Sequence, residues 1–267
     1  MTLTQAACRI LETAPAAEKA RLSREAAQAW RVGGIAGIGS TRPPDRPARP
    51  DRPELKHPAK MPRRRGEAGR TALLHAIAHI ELNAIDLAWD MIARFARPDL
   101  PRAFYDDWVR VGDEEAKHFT LLNERLAALG ATYGDLPAHD GLWQAAQETS
   151  HDDLARLAVA PLVLEARGLD VTPAIIERLE RSGDSSSAGI LRLILAEEIG
   201  HVAAGRRWFE HIARARGLDP EQAFRQLVRR HFRGAIRPPF NRAGRGAAGF
   251  EPCWYEPLAT AEKRART

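Results

Sequence analysis

The chain has 267 residues, 44% hydrophobic and 28% charged, with a net charge of +5 and a pI near 9.6. That length buries one full core with material left over for arms, and the composition excludes fibrous and wholly disordered classes. Cys8 and Cys253 are the only cysteines and lie near opposite ends, which excludes a disulfide framework and a CxxC thiolate metal centre.

Of the 40 basic residues 35 are arginine, a skew that fits a GC-rich genome as well as an acidic partner. No stretch approaches the roughly 20 apolar residues needed to cross a bilayer, and no basic segment followed by an apolar one opens the chain. A soluble, unexported, cytoplasmic protein with no membrane partner is therefore expected.

Two short amphipathic patterns come first, about residues 3 to 13 and 16 to 30, so that residues 1–31 read as accessory helices. Residues 32–70 shift to Gly, Pro and Arg, and the run RPARPDRPELKHPAKMPRRR spaces its prolines too closely for a helix or a central strand. This is an extended arm, and its composition leaves open whether it lies ordered on the core. Residues 71–232 read as helices throughout. The first spans Thr71 to Phe95, and the second starts near Pro101 behind a capping Asp99 and ends at Leu129. A short helix near 140 to 148 follows. Ser150 then caps a third helix that meets Pro161, with a kink expected, and ends near Gly168. Thr172 and Pro173 start another short segment. Asp184 caps a long fourth helix to Arg216, and a last helix covers 219 to 232 before an extended tail, 233–267. With no run of alternating β-branched residues, the class is all-α, and two helix pairs with a longer crossing between them suit a ferritin-like four-helix bundle.

Within the second helix an apolar seam runs Trp108, Val111, Leu122, Leu126, and Glu115 and His118 interrupt it; the fourth helix repeats this with Glu198 and His201 between Ile194 and Trp208. A carboxylate in an apolar seam is costly unless a cation neutralises it. Residues three apart lie one turn apart on one helix face, so each Glu-x-x-His pair can chelate one ion. Chance placement would give roughly 0.7 such pairs, and four occur; Glu54/His57 falls in the proline arm and Glu148/His151 straddles a helix cap, which removes both. Glu81 and Glu165 precede their pairs by 34 and 33 residues, which reads as a duplicated half-site returning to one height. The expected metal ligands are Glu81, Glu115, His118, Glu165, Glu198 and His201, holding two Fe ions, with Mn or a mixed Fe/Mn pair as the alternative.

The segments 114-EEAKH-118 and 197-EEIGH-201 resemble the motifs of diiron carboxylate proteins of the ferritin-like superfamily. With the arm 47-PARPDRPELKHPAKMPRR-64 and the tail 238-PPFNRAGRGAAGF-250, nearly the whole chain is similar to an uncharacterised, domain-of-unknown-function branch of it. The resemblance implies that Glu114 and Glu197 hold metal-bound histidines from outside the ligand set. The basic residue often found before the histidine is Lys117 in one motif but Gly200 in the other.

The expected function is an O₂-activating oxidase or hydroxylase of an unidentified small molecule, because about 100 residues beyond the bundle exceed what an iron store needs. A ferroxidase or iron-handling protein, or a non-catalytic metal-binding bundle, is the alternative, and a homo-oligomer would suit any of these. His75 and His79 do not share the face of Glu81 and are expected beside the site or at the surface. Trp89, Trp108 and Trp208 are expected in the core. Arg49, Arg52, Arg63, Arg64 and Arg65 could meet RNA phosphates, though the arm carries no aromatic residue on which a base would stack.

Overall fold

The computed structural model describes residues 1–56 and 66–259. These fall into two units, Met1–Gln147 and Glu148–Thr267. Every element longer than a single bridge is helical; among the described residues the only β pairings are the isolated bridges Leu55 with Ala138 and Ile236 with Ala259.

Unit 1 is built on a hairpin of α3 (Gly66–Arg94) and α4 (Arg102–Ala128), with α1 (Leu3–Leu11) on α3 and α2 (Ala16–Arg31) on α4. A capping box starts α1: Thr2 Oγ1 accepts from Gln5 N and Gln5 Oε1 accepts from Thr2 N. The N-terminal helices are integral to the unit. The Ser23 hydroxyl on α2 donates to the Gly112 carbonyl at 2.6 Å and accepts from Trp89 Nε1 at 2.6 Å, tying three helices at a buried point. Gly112 costs about 1 kcal/mol of helix propensity, but a Cβ there would sit 2.7 Å from Trp89 Nε1, so the close approach requires it.

The arm is ordered as far as it is described. Leu3 and Thr4 donate backbone hydrogen bonds to Gly37 and Ile38, and Glu54 and Lys56 exchange two with Ala138. Arg94 Nη2 reaches the Pro44 carbonyl at 2.9 Å. Arg49 points inward to Asp86 at 3.0 Å and Asn83 at 2.7 Å, which turns one of the arm's arginines away from any polyanion. Arg63, Arg64 and Arg65 lie outside the described residues. The helix α3 starts at Gly66, ahead of Thr71, since glycine in a first turn weakens a helix without forbidding it. The cap of α4 is Pro101; Asp99 pairs with Arg97 at 3.0 Å instead. α5 (Gly141–Glu148) follows.

Unit 2 departs more from expectation. The cap of its first helix, α6 (Asp153–Val159), is Asp152, whose carboxylate accepts from Leu154 N at 3.2 Å; Ser150 is not the cap. The chain then widens into a π-helical segment, Ala160–Glu165, and runs on as α7 (Ala166–Arg181), so neither the stop near Gly168 nor the new start at Thr172–Pro173 occurs. Two prolines are absorbed differently. Pro161 sits at the start of the π segment, where the longer hydrogen-bond period tolerates its missing N–H. Pro173 lies inside α7 and orphans the Leu169 carbonyl four residues back; Asn241 Nδ2 donates to that carbonyl at 3.0 Å.

α8 (Ser185–Ala215) begins as read, with Asp184 accepting from Ser187 N at 3.0 Å. Its backbone packs directly on the π segment: a Cβ on Gly205 would come 2.4 Å from Pro161 Cβ. α9 (Pro220–His231) is capped by Asp219. The tail is not simply extended: it forms α10 (Arg242–Ala247) and α11 (Pro252–Tyr255), pinned by Phe250 and Trp254 stacking edge-on with Phe224 and Phe209. Phe250 and Trp254, dispersed among Gly, Arg and Pro, carry the tail's side of that burial, which no periodic pattern announces. Among the described residues no helix is long and apolar enough to cross a membrane.

Candidate metal centre

Glu81 lies thirteen residues before Arg94, the last residue of α3, and Glu115 lies thirteen after Arg102, the first of α4. An antiparallel hairpin therefore brings the two carboxylates level, and His118 follows one turn further along α4. His118 Nδ1 is 3.2 Å from Glu81 Oε2 and 3.4 Å from Glu115 Oε2, and each residue places a ligand atom within 4.8 Å of the others. Glu81 is 4% exposed and Glu115 and His118 are fully buried. Burial, and then the Glu115 carboxylate alongside, push the Glu81 carboxyl well above its ordinary range, while the His118 hydrogen bond works against this. Two carboxylates and an imidazole thus share one buried space. The donor set, oxygen and imidazole nitrogen without thiolate, fits Fe or Mn.

In unit 2, Glu198 and His201 lie one turn apart on α8, 8% and 0% exposed, with His201 Nδ1 3.5 Å from Glu198 Oε1. Glu165 is half-buried and ends the π segment. Seven residues, 95–101, join α3 to α4 but only three, 182–184, join α7 to α8. Glu165 is sixteen residues before Arg181, and Glu198 and His201 are thirteen and sixteen after Ser185. The duplication holds in residue type and order.

Glu114 is partly buried and accepts from Arg110 Nη1 at 3.0 Å, one turn earlier on its own helix; Glu197 is partly buried on α8. Trp89, Trp108 and Trp208 are core residues, 0 to 4% exposed. His75 and His79 are not at the surface. They are 1% and 5% exposed and stack on Tyr133, with ring centroids 5.3 and 6.2 Å apart. His75 Nε2 accepts from Gly134 N, and His79 bridges the Tyr133 hydroxyl at 2.8 Å and the His139 carbonyl at 3.3 Å. Their i, i+4 spacing beside Leu74, Ala78 and Leu82 was the available signal; the partner, a tyrosine in the loop after α4, was not.

Burial first, and then the nearby Arg49 charge, lower the His79 pKa to about 3. The folded state thus favours neutral His79, while the unfolded chain takes up a proton below the ordinary histidine value of 6.5. Stability contributed by this group is present above 6.5 and lost as pH falls toward 3, by about 1.4 kcal/mol per pH unit between. Urea titrations of chelator-treated protein from pH 7 to 4.5 should show this slope, and His79→Gln should flatten it by about one proton; an unchanged slope would refute the assignment.

Comparison with known proteins yields a family and no function. The family described as "Protein of unknown function (DUF455)" matches residues 12–256. A Haemophilus influenzae protein, described as uncharacterized, is 45% identical over 204 residues, covering 72% of this chain and 69% of its own. No solved structure matches.

Proposed function

The chain belongs to the DUF455 family, whose function is unknown, and from that premise we propose that it is a dimetal carboxylate protein of the ferritin-like type that uses O₂ to oxidise or hydroxylate a small organic molecule. The observation that carries this reading is the convergence of Glu81, Glu115 and His118 in a fully buried space. Glu165, Glu198 and His201 repeat the same residue types in the same order in the second unit.

Each unit would supply two carboxylates and one imidazole, a donor set for two Fe ions or an Fe/Mn pair. Bound there, the ions would provide the redox couple through which O₂ is reduced. The protein's part is to hold the ligands and to exclude water. Ala78, Val111 and Leu122, each one turn from a unit 1 donor on its own helix, are buried apolar groups, and a low-dielectric setting of that kind strengthens electrostatic contacts. His118, placed between two glutamates, fixes their spacing. A carboxylate with room to shift would leave space for O₂ beside a bound ion. Glu165 suits that part best, since it is the least buried of the four and ends a π segment, a feature frequent at functional sites.

The test separates an enzyme from an iron store. Protein loaded anaerobically with Fe(II) and exposed to O₂ should consume O₂ in proportion to its sites and form no growing ferric mineral. Hundreds of irons retained per assembly would instead identify storage and sink this reading.

A further inference from the structure

Unit 2 holds a cavity of about 120 Å³ on the outer side of the π segment. One wall is Leu162, Val163 and Leu164; the facing wall is Ile236, Phe240 and Tyr255 from the segment that follows α9 and from α11. We propose that this cavity binds a small amphipathic monocarboxylate, with a body of one ring or an equivalent short chain.

Size sets the body. An apolar protein cavity of about 150 Å³ takes up benzene, and this one is slightly smaller but open on one side, so a polar group can remain at its mouth. The charge there is arranged for an anion. Arg245 and Asp170 form a buried two-bond pair at 2.8 and 2.9 Å and neutralise each other. Arg167 Nη1 is taken up by the carbonyls of Arg237 and Pro239, at 2.7 and 3.1 Å, which fastens the cavity's outer segment. Arg237 itself is exposed, lines the cavity, and makes no hydrogen bond or ion pair through its side chain among the described residues. A guanidinium offers a planar fork that matches a carboxylate. Arg237 offers one such fork, and the Asp170 carboxylate lines the same cavity, which favours a single negative charge over a dianion.

Tyr255 supplies the second, independent observation. It is 1% exposed and lines the cavity, yet its hydroxyl makes no hydrogen bond. A buried donor without an acceptor is expensive, and a ligand oxygen between Tyr255 and Arg237 provides one. The bound molecule packs on the residues that lead into Glu165, but its recognition rests on Arg237, Tyr255 and the apolar walls and does not depend on the metal reading.

The experiment uses the full-length chain treated with chelator, so that no metal competes for the acid. Calorimetry and ligand-observed NMR would follow benzoate, benzyl alcohol and inorganic phosphate. Benzoate should bind one to one with a Kd of roughly 1 mM or tighter, and benzyl alcohol and phosphate at least about tenfold more weakly. Arg237→Gln and Tyr255→Phe should each weaken benzoate about five- to tenfold with an unchanged circular dichroism melt. Absence of saturable benzoate binding, equal binding of phosphate or benzyl alcohol, or wild-type affinity in both variants would overturn the proposal.

Discussion

Glu115→Ala should remove metal from the protein while leaving it folded. Wild-type protein purified without added metal is expected to carry about two Fe or Mn ions per chain, and the variant to lose the ion held by unit 1. Loss of a residue that merely supports a ligand costs roughly 10- to 100-fold in metal affinity, so removing a carboxylate that touches the ion should cost more than about 100-fold. Glu198→Ala should do the same to unit 2. Glu114→Gln and Glu197→Gln, if these acids orient metal-bound histidines, should fall within the 10- to 100-fold range. Elemental analysis and competition with a calibrated chelator read all four.

The isosteric Glu115→Gln separates this reading from a purely structural network. In metal-free protein the Glu115 charge is one reason the Glu81 carboxyl is held so high. A structural role for the cluster predicts that the substitution destabilises the fold, because His118 loses a charged neighbour at 3.4 Å. A metal site predicts the reverse for chelated protein: unchanged or higher stability, since one of two mutually repelling buried carboxylates is gone. If Glu115→Gln unfolded the chelated protein and left metal content untouched, the metal reading of unit 1 would be lost.

The sequence made the unit 1 cluster legible because every requirement was local. Glu115 and His118 are one turn apart on an uninterrupted helix, and Glu81 sits at a matching distance from the hairpin connection. The second half was legible in residue type and order, while its helix bounds turned on whether a proline stops a helix. Pro161 and Pro173 look alike as helix breakers in a one-dimensional pattern. The structure keeps both within a nearly continuous helical run, one through a π segment and one because Asn241, 68 residues downstream, satisfies the Leu169 carbonyl. A long-range partner also accounts for the cap of α6. Asp152 accepts from Leu154 N while its other contact is Arg216, a pairing that a local reading of Ser150 does not contain.

The arm shows the same dependence on distant partners and leads to the largest expected change in stability. Asp86 on α3 is fully buried and meets Lys19 of α2 at 2.5 Å and Arg49 of the arm at 3.0 Å; Lys19, 1% exposed, also donates to the Ala48 carbonyl at 2.9 Å. Removing one partner of a buried pair leaves an uncompensated charge, at a cost of about 3–5 kcal/mol. Asp86→Asn should lie at the upper end, near 5 kcal/mol, because it leaves two cations facing each other without a carboxylate. Lys19→Met should lie near 3 kcal/mol, since Arg49 still faces Asp86. Arg49→Ala should cost least, as its side chain is 20% exposed and Lys19 keeps the shorter contact. Replacing the inner pair together, Lys19→Met with Asp86→Leu, should recover much of the loss, because a well-packed apolar pair often equals a buried ionic one. Urea unfolding of chelated protein gives the order directly. Should Lys19→Met fall within about 1 kcal/mol of wild type, the Lys19–Asp86 pair contributes nothing measurable to holding α2 on α3.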